Sequence, residues 1–203
     1  MSAYKELYKA VLLGDSYTGK TNISVRFTEG YYSRNYIQTI GLDFHSKIMR
    51  LENGDNIKLQ FWDTGGNKNY LPIITSYIRD VAGAIFVVDL TNKSSLNHID
   101  FWIHKFKSLN NYNIPKILVG SKSDSDRRVV SAEECKKIAK EYDCTYIETS
   151  AKNNTNIFET FDTLVNQINE NIEKGVKCGV EKSIRLTYEE PDDDNICLNC
   201  MIS

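Results

Sequence analysis

The chain has 203 residues, 41% of them hydrophobic and 26% charged, with a net charge of -2. That is enough for one well-cored domain plus a tail, and so near-neutral a balance argues against nucleic acid as a partner. No signal peptide is visible and no apolar run is long enough to span a bilayer. The five cysteines, an odd count, do not read as a disulfide framework, so a reduced, cytosolic setting is expected.

Residues 8–13 read as a buried strand and 21–27 as a helix. Between them, Gly14-Asp15-Ser16-Tyr17-Thr18-Gly19-Lys20-Thr21 fits the phosphate-loop pattern of Gly, four residues, then Gly-Lys-Thr. A strand that ends in this loop and feeds a helix aims several backbone N–H groups, and the positive end of the helix, at one spot. Lys20 can then reach the outer phosphates of a nucleotide, and the Thr21 hydroxyl can ligate Mg²⁺. Residues 42–51 and 57–62 form a strand pair, joined by Glu52-Asn53-Gly54-Asp55 with its Asn-Gly hairpin signal. At the end of the second strand, Asp63-Thr64-Gly65-Gly66 offers a carboxylate for the Mg²⁺ shell and a glycine N–H for a terminal phosphate.

Residues 84–88, 117–119 and 145–147 supply three more strands. Helical patterns cover 96–109, 132–142 and 157–172, the second with Ser131 as N-cap and Glu133-Glu134 in its first turn. This alternation predicts an α/β fold with a mostly parallel sheet whose ligand lies outside the carboxyl ends of the strands. Two such ends carry further motifs. In Gly120-Ser121-Lys122-Ser123-Asp124 the aspartate can accept both N1–H and the 2-amino group of guanine, a donor pair that adenine lacks. In Glu148-Thr149-Ser150-Ala151-Lys152 a backbone N–H can donate to the guanine O6. Each motif alone reads more readily as a polar turn; it is their joint occurrence, in order, that is specific. From Gly175 onward the apolar periodicity stops, and Glu189-Glu190-Pro191-Asp192-Asp193-Asp194 is acidic. Residues 1–174 are expected to form the domain and 175–203 a flexible tail.

This set of motifs resembles the Ras superfamily of small GTPases over residues 8–172, and its Rab branch in particular. Rab-like marks are Ile40-Gly41-Leu42-Asp43-Phe44, Lys58-Leu59-Gln60-Phe61-Trp62-Asp63-Thr64, Tyr77-Ile78-Arg79 and Val88-Asp89-Leu90-Thr91. Ser46-Lys47-Ile48-Met49 and Ser76-Tyr77-Ile78-Arg79-Asp80 look most like the Golgi-associated Rab subgroup. The resemblance implies a phosphate-loop small G domain with a six-stranded sheet and helices on both faces. It implies a GTP/GDP-dependent switch in vesicle trafficking, with GTP or GDP and Mg²⁺ as cofactors. By the same resemblance the nucleotide is held by Asp15, Ser16, Tyr17, Thr18, Gly19, Lys20, Thr21, Asn22, Tyr32, Tyr36, Thr39, Gly66, Ser121, Lys122, Asp124, Ser150, Ala151 and Lys152. Thr21, Thr39 and Asp63 serve the metal, Lys20, Gly66 and Asn67 the hydrolysis, and Phe44, Trp62 and Tyr77 the effectors; for these three aromatics core packing is the other reading. Partners implied are effectors, an exchange factor, a GTPase-activating protein and a prenyl-protein chaperone or dissociation inhibitor, acting on a monomer at the cytoplasmic face of a Golgi or endosomal membrane and in the cytosol.

Several positions depart from that pattern. Asn67 stands where most of the family has the glutamine that orients the attacking water. It is one methylene shorter, roughly 1.5 Å of lost reach, so slow turnover is expected. Lys68-Asn69 replaces Glu-Arg. Gly65 replaces alanine, which should loosen the second switch. Tyr17 replaces glycine, and Ser121 replaces the asparagine of the guanine motif, with a loss of hydrogen bonds to the phosphate loop. Cys200-Met201-Ile202-Ser203 fits a prenylation box, with Cys197 a second candidate lipid site. The acidic stretch before it lacks the basic patch that would help one lipid to anchor. A hydrolysing switch and a hydrolysis-deficient scaffold that signals by occupancy and exchange both remain open; a small-molecule kinase is disfavoured.

Overall fold

The computed structural model describes residues 4–35, 37–110, 113–176 and 179–182. Chain order is β1 (Glu6–Leu13), α1 (Lys20–Glu29), β2 (Leu42–Arg50), β3 (Asn56–Thr64), a single 3-10 turn (Lys68–Tyr70), α2 (Leu71–Ile78), β4 (Gly83–Asp89), α3 (Lys93–Asn97), α4 (Ile99–Lys107), β5 (Lys116–Ser121), α5 (Ala132–Tyr142), β6 (Thr145–Glu148), α6 (Ile157–Glu173) and β7 (Val180–Lys182). The sheet runs β2-β3-β1-β4-β5-β6, parallel throughout except for the β2–β3 hairpin and β7. The hairpin turn forms where Asn53-Gly54 puts it, with the Leu51 N–H donating to Asp55 O at 2.8 Å.

Period-two alternation sorts the strands between two cores. Tyr8, Ala10 and Leu12 of β1 face α1 and α6, where Phe27 stacks on Phe161 at 3.9 Å between ring centroids. Val11 and Leu13 face α2, α4 and α5, with Trp102 fully buried among them. The central β4 is buried along its whole length, as a parallel strand covered on both faces must be. Helices therefore cover both faces, and the carboxyl ends of the parallel strands β1, β3, β4, β5 and β6 open on one rim.

Three expectations are corrected. The helix read at 96–109 is two, broken at His98; it starts earlier because Asn92 caps α3, its side chain accepting from the Ser94 N–H. Helix α2 goes unread in the sequence, although Leu71, packed against the core, and the buried Ile74 and Ile78 fall at i, i+3 and i+7 on one helical face. The sheet has a seventh strand inside the stretch expected to be flexible tail. β7 pairs antiparallel with β1 through Tyr8↔Val180, Leu7↔Glu181 and Glu6↔Lys182. It fills the edge of β1 that β4 leaves free, because β4 pairs only from Ala10 onward. Lys9 makes an ion pair with Glu181 there.

The entry to β7 turns on Gly179, at φ +66°, where a Cβ would lie 2.2 Å from the Ala82 nitrogen. Gly179→Val is expected to detach β7 while leaving the core folded. Amide exchange at Leu7 and Lys9 should accelerate at least about tenfold, with a change in melting temperature of only a few degrees.

Candidate nucleotide-binding site

The loop after β1 folds back on the start of α1. Lys20 is buried, its ammonium donating to Gly14 O at 2.9 Å and Asp15 O at 2.7 Å. Burial pushes its pKa down to about 8, against the opposing pull of Asp63 and Asp15. A buried cation whose polar partners among the described residues are two carbonyls and a threonine hydroxyl is suited to meet an anion. Gly19, in the left-handed region at φ +91°, begins α1 with no side-chain cap, so the first N–H groups of the helix also face the loop. Thr18 Oγ1 closes the loop on Asp15 O. Tyr17 takes the place of glycine at φ +68°, a conformation that costs a side chain on the order of 1–2 kcal/mol. Its side chain is exposed.

Beside Lys20 lies a hard-oxygen cluster. Asp63 is fully buried, and Thr21 Oγ1 donates to its Oδ2 at 2.5 Å. The hydroxyls of Thr21 and Thr39 are 2.8 Å apart, which brings the first switch loop onto the same carboxylate. Asp63 Oδ1 is buried without a hydrogen-bond partner, and burial raises the carboxyl's pKa against the pull of Lys20. Two hydroxyls and an under-satisfied carboxylate fit Mg²⁺, which takes oxygen ligands and relieves a buried anion. All three expected metal residues come together here.

Gly66 presses on the phosphate loop, where a Cβ would sit 2.4 Å from the Ser16 nitrogen. Gly65 comes equally close to Thr39, whose carbonyl oxygen would be 2.3 Å from a Cβ. Ser16 Oγ donates to Gly65 O and the Gly65 N–H to Gly41 O. The glycine pair thus permits close approach between the two switches and the phosphate loop. Asn67 lies beyond it and caps the 3-10 turn, its Oδ1 accepting from the Asn69 N–H at 2.9 Å.

A cavity of about 450 Å³ opens beside the loop, lined by Gly19, Asn22, Ile23, Tyr32, Arg34, Ser121, Lys122, Asp124, Ser125, Ala151 and Lys152. Asp124 accepts from Ser150 Oγ at 2.6 Å and lies 3.5 Å from Lys152 Nζ. Burial raises its pKa, but the bonds from Ser150, its own backbone and Lys152 outweigh that and hold it low, so it faces the cavity as an acceptor. Lys122 Nζ bridges Asp89 and the Tyr17 carbonyl. Ser121 Oγ donates to Thr18 O at 2.5 Å. The tie expected to be lost with the missing asparagine is therefore made by the shorter hydroxyl. Tyr36, Cys197 and Cys200 lie outside the described residues.

Sequence reasoning missed the residues that hold these loops. Arg26 of α1 donates to Ala151 O and Lys152 O. Trp102 and His98 both contact the Asp15 carboxylate, at 2.8 and 2.7 Å. Arg34 joins the cavity wall from the first switch. None belongs to a short motif, and only the fold brings them near. The aromatics Phe44, Trp62 and Tyr77 form a strip, with successive ring centroids 6.0 and 5.8 Å apart. Phe44 and Tyr77 are exposed, which removes core packing as the reading for these two.

Fold and site together define a phosphate-loop nucleotide-binding domain with a cavity beside the loop. The comparisons agree. The Ras family model matches residues 9–170. The chain is 38% identical over 174 residues to Ras-related protein Rab-1 of Theileria parva, covering 85% of this chain and 79% of that one. It is 36% identical over 198 residues to Rab-8A of Rattus norvegicus, covering 91% and 95%. To Rab-13 of Canis lupus familiaris it is 39% identical over 167 residues, 82% of each chain. The chain belongs to the Ras family, in its Rab branch.

Losing the Ser121 hydroxyl would leave the buried Thr18 carbonyl unpaired, at a cost of about 1 kcal/mol. Ser121→Ala is therefore expected to speed release of a fluorescent GDP roughly fivefold, and stopped-flow dissociation reads this directly.

Proposed function

We propose that this protein is a GTP/GDP-dependent switch in membrane trafficking whose own GTP hydrolysis is slow. Lys20 and the N-terminus of α1 receive the phosphates, Asp124 selects guanine, and Thr21, Thr39 and Asp63 hold Mg²⁺. The metal, when bound, neutralises charge that builds on the phosphate oxygens. Thr39 and Gly66 lie on the two loops that a terminal phosphate would order. The observation that carries slow turnover is the Asn67 side chain, which bonds the Asn69 N–H of its own turn. Water positioning tolerates little misplacement; about 1 Å can cost on the order of a hundredfold in rate. The same contact favours the second reading, a scaffold that signals by occupancy and exchange.

Phe44, Trp62 and Tyr77 serve as the effector strip, since clustered exposed aromatics are favoured binding anchors. An exchange factor, a GTPase-activating protein able to lend an arginine, and a dissociation inhibitor are the partners that a slow switch needs. Residues 183–203 act as a tether from β7 to a lipid at Cys200, with Cys197 as a second site, on an intracellular membrane.

Competition binding with single-turnover hydrolysis tests the main reading. GTP and GDP should displace a fluorescent guanine nucleotide far better than ATP, with Asp124→Ala erasing the preference. GTP should be consumed slowly; no consumption at all over a day would select the scaffold reading, and equal displacement by ATP would remove the switch reading altogether.

Fractionation of cells tests the tether. Cys200→Ser should be soluble and Cys197→Ser partly released, because one lipid at about 0.8 kcal/mol per buried methylene anchors only reversibly. Parent-like membrane retention of Cys200→Ser would assign the attachment to a protein receptor.

A further inference from the structure

Helix α4 touches both the second switch and the phosphate loop. Lys68 Nζ sits 4.3 Å from the centroid of the Phe101 ring. Phe101 meets Trp102 edge-on, at 5.3 Å and 79°. Trp102, fully buried, donates its Nε1–H to Asp15 Oδ1, and His98 Nδ1 contacts Asp15 Oδ2. The turn Lys68–Tyr70 is thus moored to a helix that is itself moored to the nucleotide loop. The Asn67 cap holds the same turn at its N-terminal end, and the Tyr70 N–H closes it on Asn67 O at 3.0 Å.

We propose that Lys68 is a positioning residue for hydrolysis. Its contact with Phe101, together with the Asn67 cap, latches the second switch so that the residue 67 side chain is kept in the turn and away from the attacking water. This rests on the slow-turnover reading above and deepens it: the latch, more than the missing methylene, sets the rate. An exposed cation over a ring and a single cap are each weak holds. They fix one short turn between them, so either alone suffices to keep it, and their removal is not additive. Glutamine at position 67 restores reach but stays turned away while Lys68 remains on Phe101.

The test is single-turnover hydrolysis by the GTP-loaded full chain carrying Asn67→Gln, Lys68→Met or both. Methionine keeps the length of the lysine stem and removes its charge. Each single substitution should raise the rate by less than about threefold, and the pair by about tenfold beyond the product of the two. Asn67→Gln combined with Lys68→Arg should stay slow, because a guanidinium also stacks on an aromatic face. A second readout does not depend on turnover. The pair, and neither single substitution, should accelerate amide exchange at Asn69 and Tyr70, and Lys68→Met should leave GDP dissociation at the parent rate. If Asn67→Gln alone matches the pair, or if the pair equals the product of the singles, the latch is refuted. Failure of the slow-turnover reading shows separately, as a parent rate already equal to that of the pair.

Discussion

A cation and an anion buried side by side at the rim of the sheet organise this protein. Lys20 and Asp63 are both withdrawn from water, and neither is neutralised by a direct bond to the other. Lys20 rests on carbonyls, and Asp63 on hydroxyls with one oxygen left over. Burial without a partner is costly for either charge. The arrangement makes sense as a receptor for a polyanion and a divalent cation that complete it together. The alternation of β1, β3 and β4, with helices on both faces, serves to bring these two strand ends to one place.

Around that pair the departures from the family pattern behave as substitutions with local compensation. Ser121 is shorter than asparagine yet still reaches the Thr18 carbonyl. Gly65 lacks a side chain, and the carbonyl of Thr39 occupies the space a Cβ would need. Tyr17 accepts a strained backbone, and its carbonyl is held by Lys122. Asn67 is the exception. Its side-chain oxygen serves the turn that follows it, accepting from the Asn69 N–H.

The two ends of the sheet divide the work. Motif-bearing loops crowd the carboxyl rim, while β7 binds the opposite, amino end of β1. The last described residues therefore lie at the end of the sheet opposite the motif-bearing loops. The aromatic strip lies on the β2–β3 hairpin and α2, toward the switch loops.

Much of this was legible in the sequence because it is local. The phosphate loop, the Asn-Gly hairpin, the Ser131 capping box and the period-two strands are each decided within a few residues, by backbone sterics, capping and side-chain alternation. So was the guanine reading, since Asp124 and the Ser150-Ala151-Lys152 loop follow apolar strands that parallel pairing must align. What needed the tertiary structure was every contact between distant segments. His98, Trp102 and Arg26 carry no motif, and their roles follow from α4 and α1 lying against loops more than 80 residues away in the chain. β7 is too short and too polar to announce itself, and forms because β1 has a free edge to pair. Asn67 looked in the sequence like a shortened glutamine; its use as a cap was decided by the fold, because a side chain takes whichever partner its backbone geometry puts within reach.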